Sequence, residues 1–206
     1  MTWDIQILKR LFPSILFNIV DESIHLTFDD GPHPVATPFI LKKLKELNIQ
    51  ATFFLLGQNV QKFPDLVQQI HNDGHQIGNH TFTHTSLFFK NKTYLRNEIL
   101  RTKEVLETTI GTHSHFFRPP YGYFDWTTLR VLHELGLNCV LWSIDSKDYK
   151  LNSVADISNR IMQNTVNGSI LLFHDNEETS QRIQTYLPAL LDALLSKEFI
   201  FKTLPI

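Results

Sequence analysis

The chain has 206 residues, of which 42% are apolar, 16 are Phe and 19% are charged, enough apolar surface for one packed domain and too little charge for a disordered one. A formal net charge of -2, with no dense Lys/Arg cluster, supplies no pull toward nucleic acid, which is not expected as a partner. The single Cys139 excludes an internal disulfide and a thiolate metal site, whereas ten His favour metal or proton chemistry.

In chain order, Lys9-Arg10 followed by the apolar run Leu11 to Val20 has the outline of a signal peptide. Pro13 and Asn18 interrupt the run, Asp4 sits in the supposed positive region, and no small-residue cleavage site follows. Residues 1–22 are therefore read as a segment that packs on the main domain, residues 23–206, or lies on a surface. Crossing a bilayer takes about 20 continuous apolar residues, roughly twice this run, so no transmembrane segment is expected. Without a clear leader, a cytoplasmic location is favoured over an exported or membrane-surface one.

Ser23 to Phe28 alternates polar and apolar residues and predicts a strand that Gly31-Pro32 stops. Thr37 to Asn48 has helical spacing, Ala51 to Leu56 predicts a strand ending at Gly57, and Phe63-Pro64-Asp65 opens a helix through Ile70 that stops near Gly74. His75 to Gly78 predicts a short strand, Tyr94 to Ile110 a long amphipathic helix closed by Gly111, and Phe116 to Arg118 the next strand end. Trp126 to Leu135 is helical, Asn138 to Ile144 a buried strand in which Cys139 is an inert thiol, and Val154 to Val166 a helix closed by Gly168. Ser169 to Phe173 is the last strong strand, Ile183 to Leu195 the last helix, and Phe199 to Leu204 a final strand. A succession of about seven βα units in one chain predicts an α/β fold with a parallel barrel, complete or distorted.

Asp29 and Asp30 stand at the C-terminal mouth of the first strand, where α/β folds place active sites. Adjacent carboxylates repel unless cations or hydrogen bonds offset them, so the pair asks for a metal, an Arg or both; before Gly31-Pro32 it also suits a plain Asx turn. His80-Thr81-Phe82-Thr83-His84 has two imidazoles four apart, able to face one point from a helical turn or a tight loop. The spacing is permissive, and two His in a polar loop can also do no more than hydrogen-bond. With one Asp they would make a site of two nitrogens and one oxygen, open to water and substrate. Arg118 either holds one carboxylate of the Asp pair ionised or closes the barrel mouth by a salt bridge. Of the residues after it, Pro119 and Pro120 have no backbone N–H to donate and Tyr121 has one. Leu141 to Tyr149 is an apolar strand ending in carboxylates, among them Asp148, and Leu171 to Asp175 ends in His174. Ionisable residues thus recur at one end of several strands, as a barrel active site requires.

Thr27-Phe28-Asp29-Asp30-Gly31-Pro32, the His80 to His84 pair and Arg118-Pro119-Pro120-Tyr121-Gly122, followed by the two later strand ends, resemble the polysaccharide deacetylases with a NodB homology domain, carbohydrate esterase family 4. The resemblance runs from near Ile24 to the C-terminus. It implies a distorted (β/α) barrel, one divalent metal such as Zn, with Co, Mn or Ni as alternatives, and removal of N-acetyl or O-acetyl groups from the sugars of a glycan such as chitin or peptidoglycan. By position, Asp29 resembles the catalytic base, and Asp30, His80 and His84 the metal ligands. Arg118 resembles the residue that positions the base, the Tyr121 N–H the oxyanion donor, and His174, oriented by Asp148, the general acid. Leu172 and Trp142 resemble the pocket for the acetyl methyl, and Tyr149 stands where the family often has Trp. Other readings are an amidase of the same fold acting on a small non-sugar amide, a catalytically silent carbohydrate-binding relative, and a non-haem iron oxygenase, whose centre also has two His and a carboxylate. The oxygenase has no use for a second adjacent Asp and a distant His, and a silent relative has none for base, Arg and acid together.

Overall fold

The computed structural model describes residues 5–151 and 153–205. Its strands are β1 (Ile15–Leu16), β2 (Ser23–Asp29), β3 (Thr52–Leu55), β4 (Gln76–Asn79), β5 (Phe116–Phe117), β6 (Asn138–Val140), β7 (Ile144–Asp145), β8 (Ile170–His174) and β9 (Ile200–Phe201). They form a parallel sheet in the order β1-β6-β5-β4-β3-β2-β8-β7, with β9 pairing on β2. Parallel neighbours need crossovers, and helices supply them. These are α1 (Ile5–Leu11), α2 (Ala36–Glu46), α3 (Gly57–Lys62), α4 (Pro64–Asn72), α5 (Lys92–Ile110), α6 (Trp126–Glu134), α7 (Val154–Asn164) and α8 (Ser180–Ser196). The long helix starts where Asn91 accepts a hydrogen bond from the Tyr94 N–H at 2.9 Å and stops at Gly111, whose φ of 71° suits a residue without a β-carbon.

Successive strand residues point to opposite faces, and the sheet uses both. Ile24, Leu26 and Phe28 of β2, Phe53 and Leu55 of β3, and Leu171 and Phe173 of β8 form the layer beneath the helices, where Phe28 stacks on Phe53 at 5.1 Å. The other set faces the barrel interior. Phe54, Phe116, Val140 and Ile170 pack there, below Thr27, Asp29, Leu172 and His174. Ser23–Asp29 is buried throughout, since the polar face of its alternation fills the interior and not a solvent face. Truncating one of these fully buried Phe to Ala would cost about 3–5 kcal/mol.

The predicted helices all form and differ only at their ends. The strand expected over Asn138 to Ile144 does not form as one piece. It is two short strands, β6 beside β1 and β5, and β7 beside β8 at the far end of the sheet. Between them the chain crosses the gap in the barrel, and Arg118 takes the carbonyls that no strand partner reaches, those of Val140 at 3.3 Å and Leu141 at 3.0 Å. Ser143 holds the other side, its Oγ accepting from the Ile170 N–H at 2.9 Å. The expected strand over Phe199 to Leu204 shortens to β9; beyond it Lys202 and Thr203 give their carbonyls to His25 Nδ1, each at 3.1 Å. Helix α3 and strand β1 were not anticipated from sequence; β1 carries the N-terminal segment into the sheet through its pairing with β6.

Candidate active site

The interior face of β2 delivers Asp29 to the barrel mouth, and the chain then leaves the strand through Asp30, whose φ is 79°. This backbone turn separates two side chains that an extended strand would aim at opposite faces. Asp29 Oδ1 accepts a hydrogen bond from Arg118 Nη1 at 2.7 Å. Arg118 is completely buried, and it also donates to Thr27 Oγ1 at 2.8 Å and lies 4.1 Å from the Phe54 ring centroid. Burial pulls the guanidinium below its ordinary pKa, while the Asp29 carboxylate opposes that pull and compensates its charge.

Asp30 turns toward two imidazoles, with Oδ1 3.1 Å from His84 Nε2 and 3.5 Å from His80 Nε2. Burial alone would raise its pKa; the neighbouring imidazoles, His80 foremost, hold it well below the usual carboxylate range. Asp30 Oδ2 accepts from Asn176 Nδ2 at 2.7 Å, and its backbone carbonyl accepts from Asn59 Nδ2 at 2.7 Å. The tautomer of His80 follows from its partner. Nδ1 lies 2.7 Å from the Arg118 carbonyl, which can only accept, so Nδ1 carries a proton and Nε2 is the nitrogen that faces the carboxylates. Burial pushes His84 below its ordinary pKa, which favours the neutral ring.

These residues fit a divalent cation. One ligand atom each from Asp30, His80 and His84 lies within 4.8 Å of the other two, and Asp30 Oδ1 is buried without a hydrogen-bond donor although two imidazole nitrogens surround it. An ionised carboxylate and neutral imidazoles are the ligand forms of these groups. Two nitrogens and one oxygen leave coordination positions for water and substrate. The His pair sits in a tight loop after β4 and not on a helix. Glu98 of α5 accepts the N–H groups of Phe82 and Thr83 at 3.1 and 2.9 Å, and Asn79 Oδ1 accepts that of Thr81 at 3.0 Å.

Across the mouth, β8 ends in His174, whose Nδ1 lies 2.7 Å from Asp148 Oδ1. Asp148 is fully buried and also accepts from the His174 N–H and the Tyr186 hydroxyl, both at 2.9 Å. Burial would lower the pKa of His174, but Asp148 outweighs it and the imidazole is raised to about 9. Tyr149 sets its ring edge-on to His174 at 5.1 Å and anchors its hydroxyl on Asp145 at 3.2 Å. Tyr121 adopts φ 61° in the turn after Arg118, and the N–H groups of Gly122 and Tyr123 bond back to the carbonyls of Pro119 and Pro120. Leu172 points inward from β8 at 2% exposure, and Trp142 lies under Gly122, where an added β-carbon would meet the indole at 2.8 Å. Cys139 is buried, its thiol pushed up to about 12 by burial, as the sequence led us to expect.

Asp29, Asp30, His80, His84 and Arg118 thus meet at one mouth, with the His174 and Asp148 pair across from them. Four others were missed. Glu98 left a signal, a carboxylate on the buried face of α5 among Leu95, Ile99 and Thr102. Tyr186 left only its place on the apolar face of α8 beside Ile183 and Leu187, and Asn59 and Asn176 left none, being ordinary helix or loop residues until the fold brings them to Asp30.

A family model described as polysaccharide deacetylase matches residues 19–140. A peptidoglycan-N-acetylglucosamine deacetylase of Bacillus cereus is 45% identical over 151 residues, covering 73% of this chain and 55% of the relative, so the match spans about half of that protein. A chitooligosaccharide deacetylase of Azorhizobium caulinodans is 38% identical over 74% of this chain and 73% of its own length. Among solved structures, the Bc1960 peptidoglycan N-acetylglucosamine deacetylase, crystallised with a naphthalenyl N-hydroxybenzamide, superposes with a TM-score of 0.89 at 39% identity, covering 93% of this chain and 91% of that one. A family 4 pseudoenzyme of Bacillus anthracis shares the fold at a TM-score of 0.85 and 22% identity. The chain belongs to the polysaccharide deacetylase family, carbohydrate esterase family 4.

Proposed function

We propose that this protein is a metal-dependent deacetylase that hydrolyses the N-acetyl group of N-acetylglucosamine-type sugars in a glycan, releasing acetate and leaving a free amine. One observation carries the reading: two adjacent carboxylates have separate partners, Asp29 with Arg118 at 2.7 Å and Asp30 with the two imidazoles, and a protonated His faces them. A single Asx turn needs none of this. The relatives named as deacetylases of N-acetylglucosamine polymers support the substrate class.

Asp30, His80 and His84 would hold the ion, and Zn suits two imidazoles and one carboxylate best, with Co, Mn and Ni also accepted by such a set. When bound, a divalent ion there lowers the pKa of water and polarises the acetyl carbonyl. Asp29 takes a proton from the attacking water, and Arg118 keeps that carboxylate aimed until it does. The Tyr121 N–H donates to the oxygen that gains negative charge, a kind of contact whose loss typically costs on the order of a hundred-fold in rate. As the carbon–nitrogen bond breaks, His174 passes its Nε2 proton to the sugar nitrogen, and Asp148 stabilises the cation beforehand. Leu172 and Trp142 give the acetyl methyl an apolar seat.

The test is acetate release from N-acetylated chitooligosaccharides and from peptidoglycan glycan fragments, before and after exhaustive chelation and with Zn restored. Metal-restored release from either glycan is expected, and the preferred one identifies the polymer. Release that survives chelation, or turnover confined to small non-sugar amides, would overturn the reading.

A further inference from the structure

The two imidazoles of the triad come from one short loop, and that loop is strained. Thr81, a β-branched residue, sits at φ 69°, which its side chain rarely allows, and His84 follows at φ 60°. Backbone of this kind persists only where its surroundings hold it.

The surroundings are one face of α5 and the first turn of α3. Glu98 Oε2 accepts from three donors of the loop, the Phe82 N–H at 3.1 Å, the Thr83 N–H at 2.9 Å and the Thr83 hydroxyl at 3.0 Å. One turn on, the Arg101 guanidinium covers the Phe82 ring at 3.7 Å from its centroid. From the other side the Gly57 and Gln58 N–H groups donate to the Thr81 and Phe82 carbonyls at 3.0 and 3.1 Å. Gly57 has no room for a side chain, since an added β-carbon would meet the Phe82 ring at 2.4 Å and Thr102 Oγ1 at 2.7 Å. Glu98, Arg101 and Thr102 are spaced i, i+3, i+4 and so share one face of α5. A carboxylate on the buried face of a helix is costly to desolvate, and among the described residues the hydrogen-bond partners of the Glu98 side chain all belong to this loop. The grip falls on Phe82 and Thr83, between the two imidazoles and not on either.

We propose that Glu98 is a positioning residue of the metal centre: acting through the loop backbone and not as a ligand, it holds His80 and His84 in their ligating conformation before the ion arrives, and so sets the affinity for it. The proposal rests on the reading of Asp30, His80 and His84 as ligands. Its physical basis is a population. Apparent affinity falls with the fraction of molecules whose ligands are in place. Removing three hydrogen bonds lets a strained loop relax and lowers that fraction, whereas the molecules that do bind the ion keep the same site.

The experiment titrates metal-free wild type, Glu98→Ala, Glu98→Gln and Glu98→Asp with Zn by calorimetry and follows amide hydrogen exchange over residues 80–84 in the same metal-free samples. Glu98→Ala should bind Zn roughly ten-fold more weakly and exchange the Phe82 and Thr83 amides faster, with kcat nearly unchanged once Zn is saturating. Glu98→Gln keeps a carbonyl oxygen for the same donors and should recover most of the affinity. Glu98→Asp retracts the carboxylate by one methylene and should show a smaller loss of the same sign, which keeps the test open if the Ala variant does not fold. A merely structural Glu98 would lower the melting temperature and leave Zn affinity in the folded protein unchanged. Wild-type Zn affinity in Glu98→Ala, or in Glu98→Asp where the Ala variant does not fold, would overturn the proposal, as would a loss of kcat that saturating Zn does not restore. If the wild type binds no Zn, the reading of the three ligands fails. Exchange over residues 80–84 then decides the clamp by itself, supporting it if the variant exchanges faster there and overturning it if the rates are equal.

Discussion

Two imidazoles stand at one rim with different groups on their Nδ1 atoms. His174 has a carboxylate on Nδ1, Asp148 at 2.7 Å, and is raised to about 9. His80 has a carbonyl on Nδ1, that of Arg118 at the same 2.7 Å, and turns Nε2 toward Asp30. A carbonyl orients the ring without adding charge, whereas a buried carboxylate orients it and stabilises its cation. The group on the far nitrogen thus separates a proton donor from a ligand, although both rings point into the same mouth.

The largest effect expected from breaking this arrangement is at the carboxylate between the two systems. Asp29→Asn should leave the metal content intact yet cut turnover by roughly a hundred-fold to ten-thousand-fold, with no rescue by added metal, read from acetate release and metal analysis on the same sample. Asp148→Asn converts the His174 environment into one like that of His80. Its activity at neutral pH should fall about a hundred-fold while metal content stays unchanged. The sign follows from the raised pKa: the acid is present below it and lost as pH rises through it, so activity has an alkaline limb at or below about 9, and the variant's limb must lie at lower pH. An unmoved limb would mean that Asp148 does not charge His174.

The ligand side is broken by Asp30→Asn, which replaces a carboxylate with a neutral amide and should weaken metal binding by roughly ten-fold to a hundred-fold or more, with activity partly recovered in excess Zn. Titration with Zn by calorimetry reads it directly. Asn176→Ala is the smallest change. It frees Asp30 Oδ2 from a 2.7 Å hydrogen bond and should weaken Zn affinity about ten-fold, with kcat nearly unchanged at saturating metal.

How much of this could be read from the chain depended on whether a residue acts through its own strand or across the fold. Asp29 stands at the end of an alternating strand, and Arg118 and His174 at the ends of short apolar runs, so their convergence was legible before any coordinates. The His80 and His84 pair was visible as a spacing; the loop that makes it useful depends on Glu98, detectable only as a carboxylate on an apolar helix face. The break between β6 and β7 was hidden because an apolar run carries no mark where its carbonyls change partner, here from strand N–H groups to Arg118. Asn176 acts from a loop with no periodicity to betray it, and Tyr186 follows the apolar period of α8, which marks it as a core ring and not as a partner of Asp148.

That two histidines at one mouth take different roles, proton donor and metal ligand, because of what binds their Nδ1 atoms is tested most directly by long-range 1H–15N NMR of the imidazoles in Zn-loaded protein near neutral pH. The account predicts an imidazolium at His174 and a neutral His80 with its proton on Nδ1 and Nε2 shifted by the metal, with the His174 signal becoming neutral in Asp148→Asn. A neutral His174 in the wild type, or His80 bound to the metal through Nδ1, would contradict it.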